Sequence, residues 1–428
     1  RVPRKLDHRR TFRAYSEVGV SAVQGCSAPC QNMNPLRILV LAAYLPALGA
    51  HGGANRMYYN LKILASRHRV TLISFIESER ELEQLRQLED FGVEAKAVLR
   101  RAERTSDFWM PKPREHWEFA SQELHALVRQ TLAEHPFDVV QAEFLQMAQH
   151  VPKELPILKV LNEQEITYDN LYLAYKQEAG WWRKAQRLYD WLVQLNYEVR
   201  VCRQFDRIAC MTDEDRASLS RFVSPARLRT VPIGVDSGYF DPQSIEGHDD
   251  DVLRMLFVGN YRHTPNRDAV HFFVRRILPG IHQEVPNAQF WVVGSNAEML
   301  DQTLLQASNG VHVAGYINDV RSSYGKSAVF VAPILTGTGM RVKLLEALSM
   351  GMAVAATPLA AQGFHCHGKD ALLVADTPER FVAATVRLLK DLKLRKTLGK
   401  NARRMIQEKY DWKVIAHQFL DLVDVNHA

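Results

Sequence analysis

The 428 residues contain only five cysteines, Cys26, Cys30, Cys202, Cys210 and Cys366. An odd count without a regular framework excludes a disulfide scaffold and reads as a reducing, cytoplasmic compartment. Long apolar runs are missing too: none approaches the roughly 18 residues of a membrane span. No secretory signal stands at the front, where the residues are polar and begin with Arg rather than Met. Charge of one sign does not dominate, since 54 Lys and Arg face 48 Asp and Glu, for a net charge of +6. Without a dense basic stripe a nucleic-acid partner is not expected; the small excess suits an anionic small substrate or an acidic membrane surface. Metal signatures are weak. Cys26 and Cys30 have neither a second pair nor a flanking His, and the adjacent side chains of "HCH" (365–367) are poorly placed to share one ion. The Asp213 and Asp215 of "TDEDR" fit the first turn of a helix capped by Thr212 better than a metal site. No metal site is expected.

What is present is apolar and ordered. Hydrophobic residues make up 46% of the chain, enough for two domains. Residues 1–34 lack periodicity and read as a flexible leader, with Met33 as a candidate natural start. After it, short apolar runs alternate with helical stretches: "LRILVLAAYL", "RVTLISF", "DVVQAE", "ILKVLN", "RIACMT" and "LRTVPI". The plan repeats in "RMLFVGN", "QFWVVG", "VHVAGY", "AVFVAPIL", "MAVAAT" and "ALLVAD". A helix is predicted around "ELEQLRQLEDF". Such alternation predicts parallel sheets covered on both faces, an α/β class with two doubly wound domains and a cleft between them. The polar "SIEGHDDDV" (244–252) is the best linker. It gives an N-terminal domain over 35–245, a C-terminal domain over 246–410 and a terminal helix over 411–428.

One long helical pattern spans 181–205, with Trp181, Ala185, Leu188, Leu192, Leu195, Val199 and Cys202 on one face. Arg183, Lys184, Arg187 and Arg203 lie on the other. A domain-packing helix with a solvated face is preferred here over a basic amphipathic membrane helix.

The chemistry concentrates in "GTGMRVKLLEALSMGMAVAATP" (337–358), a glycine loop between a strand and a helix. A helix start exposes N–H groups and the positive end of a dipole, which suits phosphate. Gly337 and Gly339 allow close backbone approach, and Arg341 and Lys343 add charge. Glu346 follows Lys343 by one turn on the same face, where a carboxylate can accept hydrogen bonds from ribose hydroxyls. The same residues also allow a plain helix whose Lys–Glu pair meets water. The loop is neither a Walker loop nor a GxGxxG turn.

From about residue 36 to 420, motifs occur in an order that resembles retaining family-4 glycosyltransferases of the GT-B fold. They are "HGGANR", "VPIGVDSGYFDP", "FVGNYRHTPNRDAV", "WVVGSN", "VHVAGYINDV", the 337–364 stretch and "YDW". The resemblance implies two Rossmann-like domains, with the terminal helix crossing back to the first. It implies a nucleotide-diphosphate sugar as substrate, a glycan or lipid-linked acceptor, and work in surface polysaccharide or glycolipid assembly, with peripheral contact to an anionic membrane. No cofactor or metal is implied. Arg341 and Lys343 would neutralise the leaving diphosphate, and Glu346 would hold the ribose. Tyr316 and Ile317 would flank the base, and Thr338, Gly339 and Met340 would line the donor. Gly52 and Gly53 would let the first domain's loop approach the phosphates.

Ile233 stands where Asn is usual in the family's motif, and three further places depart from its pattern. Thr338 stands where a Glu is common, although another branch has such a glycine- and threonine-rich loop. The family's Arg and Lys after the strand ending "VG" are absent, so Arg262 is the expected substitute. Glu143 stands near where many members place a His, either as a catalytic carboxylate or as a strand-end acid facing solvent. These departures keep two alternatives open, a sugar-nucleotide epimerase and a catalytically silent binding protein of the same fold.

Overall fold

The computed structural model describes residues 34–47, 52–101, 111–245, 253–337, 339–364 and 370–425. The leader with Cys26 and Cys30, most of the expected linker, Thr338 and the "HCH" segment lie outside the described residues. By internal contacts the chain forms two compact units. One runs up to Pro232 and includes the residues from Ile415 onward; the other is Ile233–Val414.

The first unit is built on a seven-stranded sheet, all of whose pairings are parallel. Its strands are β1 (Arg37–Ala42), β2 (Arg69–Ile76), β3 (Val93–Leu99), β4 (Val139–Glu143), β5 (Leu158–Asn162), β6 (Arg207–Cys210) and β7 (Leu228–Thr230). The spatial order is β3-β2-β1-β4-β5-β6-β7. β4 and β6 are buried at every position, and β1 at all but its first. Such runs suit strands covered on both faces. β3 does not read as a strand in the sequence. It is an edge strand in which exposed Glu94 and half-buried Lys96 interrupt the apolar pattern. The stretch before it, expected as one helix, breaks into a turn of 3-10 helix (Glu79–Glu81), a short helix (Leu82–Arg86) and a second 3-10 turn (Glu89–Phe91). Among its described residues only Leu85 and Leu88 are buried, too little burial to hold a long helix together. Gly92 then ends it at φ 83°.

Five helices of this unit matter below: α1 (Gly52–Ala65), α2 (Gln122–Glu134), α3 (Thr167–Gln177), α4 (Trp181–Cys202) and α5 (Asp213–Leu219). The side chains of Ser121 and Thr212 cap α2 and α5, accepting from the N–H of Leu124 and Asp215. The acids of "TDEDR" thus occupy the first turn of a helix. The residues from Ile415 onward are fastened to β6 by the Arg207 guanidinium, which donates to the carbonyls of Leu422 and Asp424 at 3.0 and 2.7 Å.

The second unit repeats the plan with a six-stranded sheet, again with parallel pairings. Its strands are β8 (Arg254–Val258), β9 (Gln289–Val293), β10 (Val311–Gly315), β11 (Val329–Ala332), β12 (Ala353–Ala356) and β13 (Leu373–Val374). The order is β10-β9-β8-β11-β12-β13. Numbering reverses between β8 and β11, as it does between β1 and β4. Such a reversal leaves a crevice beyond the carboxyl ends of the two strands, where doubly wound sheets bind ligands. Helices α6 (Thr264–Phe272) and α7 (Val342–Ser349) follow β8 and β11. Then come α8 (Pro378–Lys390), α9 (Leu392–Lys409) and α10 (Trp412–Val423). Among the described residues no helix is long and apolar enough to cross a membrane.

Candidate donor site

The loops after β8 and β11 meet at the switch point of the second unit. Gly337 and Gly339 adopt φ 93° and 70°, a left-handed backbone that disfavours side chains. A Cβ on Gly337 would sit 3.3 Å from Pro265 and 3.6 Å from the guanidinium of Arg341, so the glycine lies between the two loops. Arg341 is the extended N-cap of α7, and the helix begins at Val342. Leu344, Leu345, Ala347 and Leu348 bury one side of α7. Lys343 and Glu346 share another side, three residues apart, and both are half-buried.

Partners from other elements hold both charges. The Lys343 ammonium donates to the side-chain oxygen of Asn266 on α6 and lies 4.7 Å above the Phe257 ring of β8. Asn266 donates to the Asn260 carbonyl at 2.8 Å. Asn260 in turn accepts from the Arg262 N–H at 3.0 Å and from Asn296 at 2.9 Å. The fully buried Tyr324 donates its hydroxyl to Glu346 at 2.9 Å. Close approach also explains Gly294, whose φ is 138°: a Cβ there would lie 1.8 Å from the Gly259 carbonyl.

The electrostatics fit an anion. Burial, and then the neighbouring Arg341, push the Lys343 ammonium down to about 7, with Glu346 opposing. Burial raises Glu346 to about 7 against the Tyr324 hydrogen bond and Lys343. His263 is lowered by burial and then by Lys343, Arg262 and Arg267. An anion arriving here would relieve this crowding of positive charge.

The structure therefore brings Arg341, Lys343 and Glu346 together with Gly337, Gly339 and the buried Met340. Arg262 is exposed at the tip of the β8 loop, and Arg267 donates to its carbonyl at 2.8 Å. Tyr316 and Ile317 follow the edge strand β10, after Gly315 at φ 68°. Sequence reasoning missed Phe257, His263, Asn266 and Tyr324. Only Asn266 had a local signal, as an amide one turn into a helix that follows a strand–glycine turn.

The remaining candidates belong to the first unit. Gly52 and Gly53 open α1 rather than a loop. Glu143 ends β4, and only 1% of it is exposed. One carboxylate oxygen accepts from Gln141 and Asn60 at 2.8 and 3.3 Å; the other accepts from Asn162 and Gln164 at 2.8 and 3.2 Å. Burial raises its pKa, opposed first by Arg56 and then by the amide bonds. Arg56 is itself fully buried and donates to Gln164 at 3.3 Å and to the Val231 carbonyl at 2.6 Å. Among the described residues no three His, Cys, Asp or Glu gather as a metal site would need.

The two doubly wound units have the architecture of the GT-B fold. Residues 253–391 match the family model of glycosyl transferases group 1. The chain is 21% identical over 267 residues to an uncharacterized 44.6 kDa protein in the cps region of Klebsiella pneumoniae, covering 60% of this chain and 66% of that one. It is 29% identical over 198 residues to a phosphatidyl-myo-inositol mannosyltransferase of Mycolicibacterium smegmatis, covering 44% and 50%. The chain thus spans between half and just under two thirds of the length of these relatives. Among solved structures, Anabaena HepE in complex with UDP superposes with a TM-score of 0.66 at 13% identity, over 90% of this chain and 99% of that one.

Proposed function

We propose that the chain transfers a sugar, with retention, from a nucleotide-diphosphate donor to a glycan or lipid-linked acceptor. The observation that carries this reading is the convergence of Arg341, Lys343 and Glu346 at the β8/β11 switch point. HepE was solved with UDP and with UDP-glucose, which supports a nucleotide sugar here. The names of the two relatives, one in a cps region and one acting on a phosphatidyl-inositol, support work on surface polysaccharide or glycolipid.

In this reading the diphosphate lies against the 337–341 loop, with Arg341 and Lys343 balancing the charge that grows as its bond to the anomeric carbon breaks. The acceptor hydroxyl attacks that carbon from the face the diphosphate leaves. A departing phosphate oxygen takes the hydroxyl proton. Glu346 accepts from the ribose hydroxyls. Two protein cations supply the charge a metal supplies in other transferases, so no metal is required. With four amides already on its carboxylate, Glu143 positions the ends of β4 and β5 rather than moving a proton.

Product analysis tests the reading: incubation with donor and acceptor should give a new glycosidic bond of unchanged anomeric configuration, visible by NMR. An isomerised nucleotide sugar without a new bond would make the chain an epimerase. Bound donor left intact would make it a binding protein.

A further inference from the structure

The second unit holds a cavity that the transfer reading does not use. It lies at the amino ends of β11 and β12, whereas the proposed donor site lies beyond the carboxyl ends of β8 and β11. Its volume is about 580 Å³, which falls within the usual ~300–1,000 Å³ of small-molecule sites. Met350 and Met352, at the turn from α7 into β12, form an apolar floor together with Pro242 and Ile245. Helix α9 forms the wall. It comes close to that turn because two glycines meet there: a Cβ on Gly399 would lie 2.0 Å from the Gly351 carbonyl.

The wall carries charge of one sign. Five Lys or Arg side chains line the cavity, and among the described residues no Asp or Glu does. Two of the five are committed to the fold. Arg395 donates to the carbonyls of Leu388 and Leu389 at 2.9 and 2.7 Å. Arg403 donates to the Phe240 and Ser349 carbonyls at 3.0 and 2.7 Å and pairs with Asp241 at 2.9 Å. The other three, Lys396, Lys400 and Arg404, are exposed. Each stands four residues after the last, so they share one face along about 12 Å of helix. The next acid along that face, Glu408, is a turn past Arg404 and does not line the cavity.

A solvated helix face would explain three exposed cations but not the apolar floor beside them. A gap in apolar packing would explain the floor but not the cations. A ligand with an apolar body and an anionic end satisfies both: burial of the body gains free energy, and a phosphate takes charge-assisted hydrogen bonds from Lys and Arg. We propose that this cavity is a second ligand site, distinct from the donor site, for a small phosphate ester. The aromatic or aliphatic body rests on Met350 and Met352, and Lys396, Lys400 and Arg404 hold the phosphate. Nothing in this inference requires sugar transfer, so its failure would leave the proposed function untouched.

Calorimetry with 1-naphthyl phosphate tests it on the full chain, with UDP in excess to occupy the proposed donor site. The wild type should bind one molecule of the ester. Inorganic phosphate, which lacks the rings, should bind on the order of a hundredfold more weakly. The Lys396→Gln/Lys400→Gln/Arg404→Gln variant should lose about tenfold for the ester, a few-fold per surface charge, and nothing for uncharged 1-naphthol. Retained 1-naphthol binding and an unchanged melting temperature would show that the cavity of the variant is intact. Lys343→Gln, at the other end of the sheet, should bind the ester as the wild type does. No binding by the wild type at millimolar ester, or equal binding of ester and inorganic phosphate, would overturn the proposal. So would a loss in Lys343→Gln that the triple variant does not share, since the ester would then be in the donor site. Binding that appears only in an Asp249→Asn/Asp250→Asn/Asp251→Asn variant would overturn it too, because the chain's own acidic segment after Ile245 would then be the occupant.

Discussion

Lys343 offers a direct probe of the proposed donor site through pH. Burial, and then the neighbouring Arg341, push its ammonium down to about 7 from an ordinary value of 10.5. A bound diphosphate would favour the charged form, so binding should take up a proton wherever Lys343 is neutral beforehand. The sign follows: affinity falls as pH rises above 7. Between about pH 7.5 and 8.5 the cost of protonating Lys343 grows about eightfold. Glu346, also near 7, is mostly ionised across that window and gives back a factor of only about 1.3. The net expectation is an affinity loss of about sixfold, or roughly 1 kcal/mol. Calorimetry with UDP-glucose suits the measurement, since its diphosphate has no proton of its own to exchange in this range. Repeating the titration near pH 8 in buffers of different ionisation heat should show uptake of close to one proton. Lys343→Gln should bind more weakly and respond little to pH over the same window. Constant wild-type affinity from pH 7.5 to 8.5, with no buffer-dependent heat, would refute the reasoning: Lys343 would either be charged already or lie away from the diphosphate.

Two further expectations concern the same site. Glu346→Ala should weaken nucleotide binding by about tenfold or more, since a hydrogen bond to a charged group contributes roughly 1.5–3 kcal/mol. A 2′,3′-dideoxy nucleotide should lose little from the mutation, and equal losses for both ligands by calorimetry would show that Glu346 holds the helix instead of the ribose. Transfer should continue in excess chelator, because Arg341 and Lys343 carry the charge; loss of activity that Mg²⁺ or Mn²⁺ restores would shift the weight to Asp213 and Asp215.

The legibility of this chain follows the range of its interactions. Strands such as β11 and β12 are continuous apolar runs, because both faces are covered. β3 is hidden because an edge strand tolerates Glu94 and Lys96, which pair at 3.6 Å. The glycines and charges of 337–346 are adjacent in sequence, so their joint meaning can be read there. Their supports are not adjacent: Asn266 is 77 residues from Lys343, and Tyr324 is 22 from Glu346. No spacing rule links an amide after one strand to a lysine after another; only the reversal of strand order between β8 and β11 brings them together. The buried cluster around Glu143 did leave a trace. Gln141 and Asn162 interrupt otherwise apolar strands, and such residues in covered strands must find hydrogen-bond partners. That trace also argues against the solvent-facing reading of Glu143. A strand-end acid facing water would need no companions, whereas a buried one needs donors, and the sequence places amides at 141, 162 and 164 to provide them.

Helix α4 shows the opposite limit. Periodicity identifies which residues share a face, but it is silent about what the face meets. The stripe from Trp181 to Cys202 is continuous in sequence and divided in the structure. Val199 and Cys202 are buried, while Trp181 and Leu192 stay largely in solvent. The division falls where composition changes. The buried part uses Val and Cys, small side chains that fit a packed core. The exposed part uses Trp and Tyr with Arg and Lys nearby, side chains with an apolar body and a polar or charged end. A face meant for a protein interior has little use for those ends, and a face meant for water has little use for two indoles. Periodicity alone cannot distinguish such a face from a core.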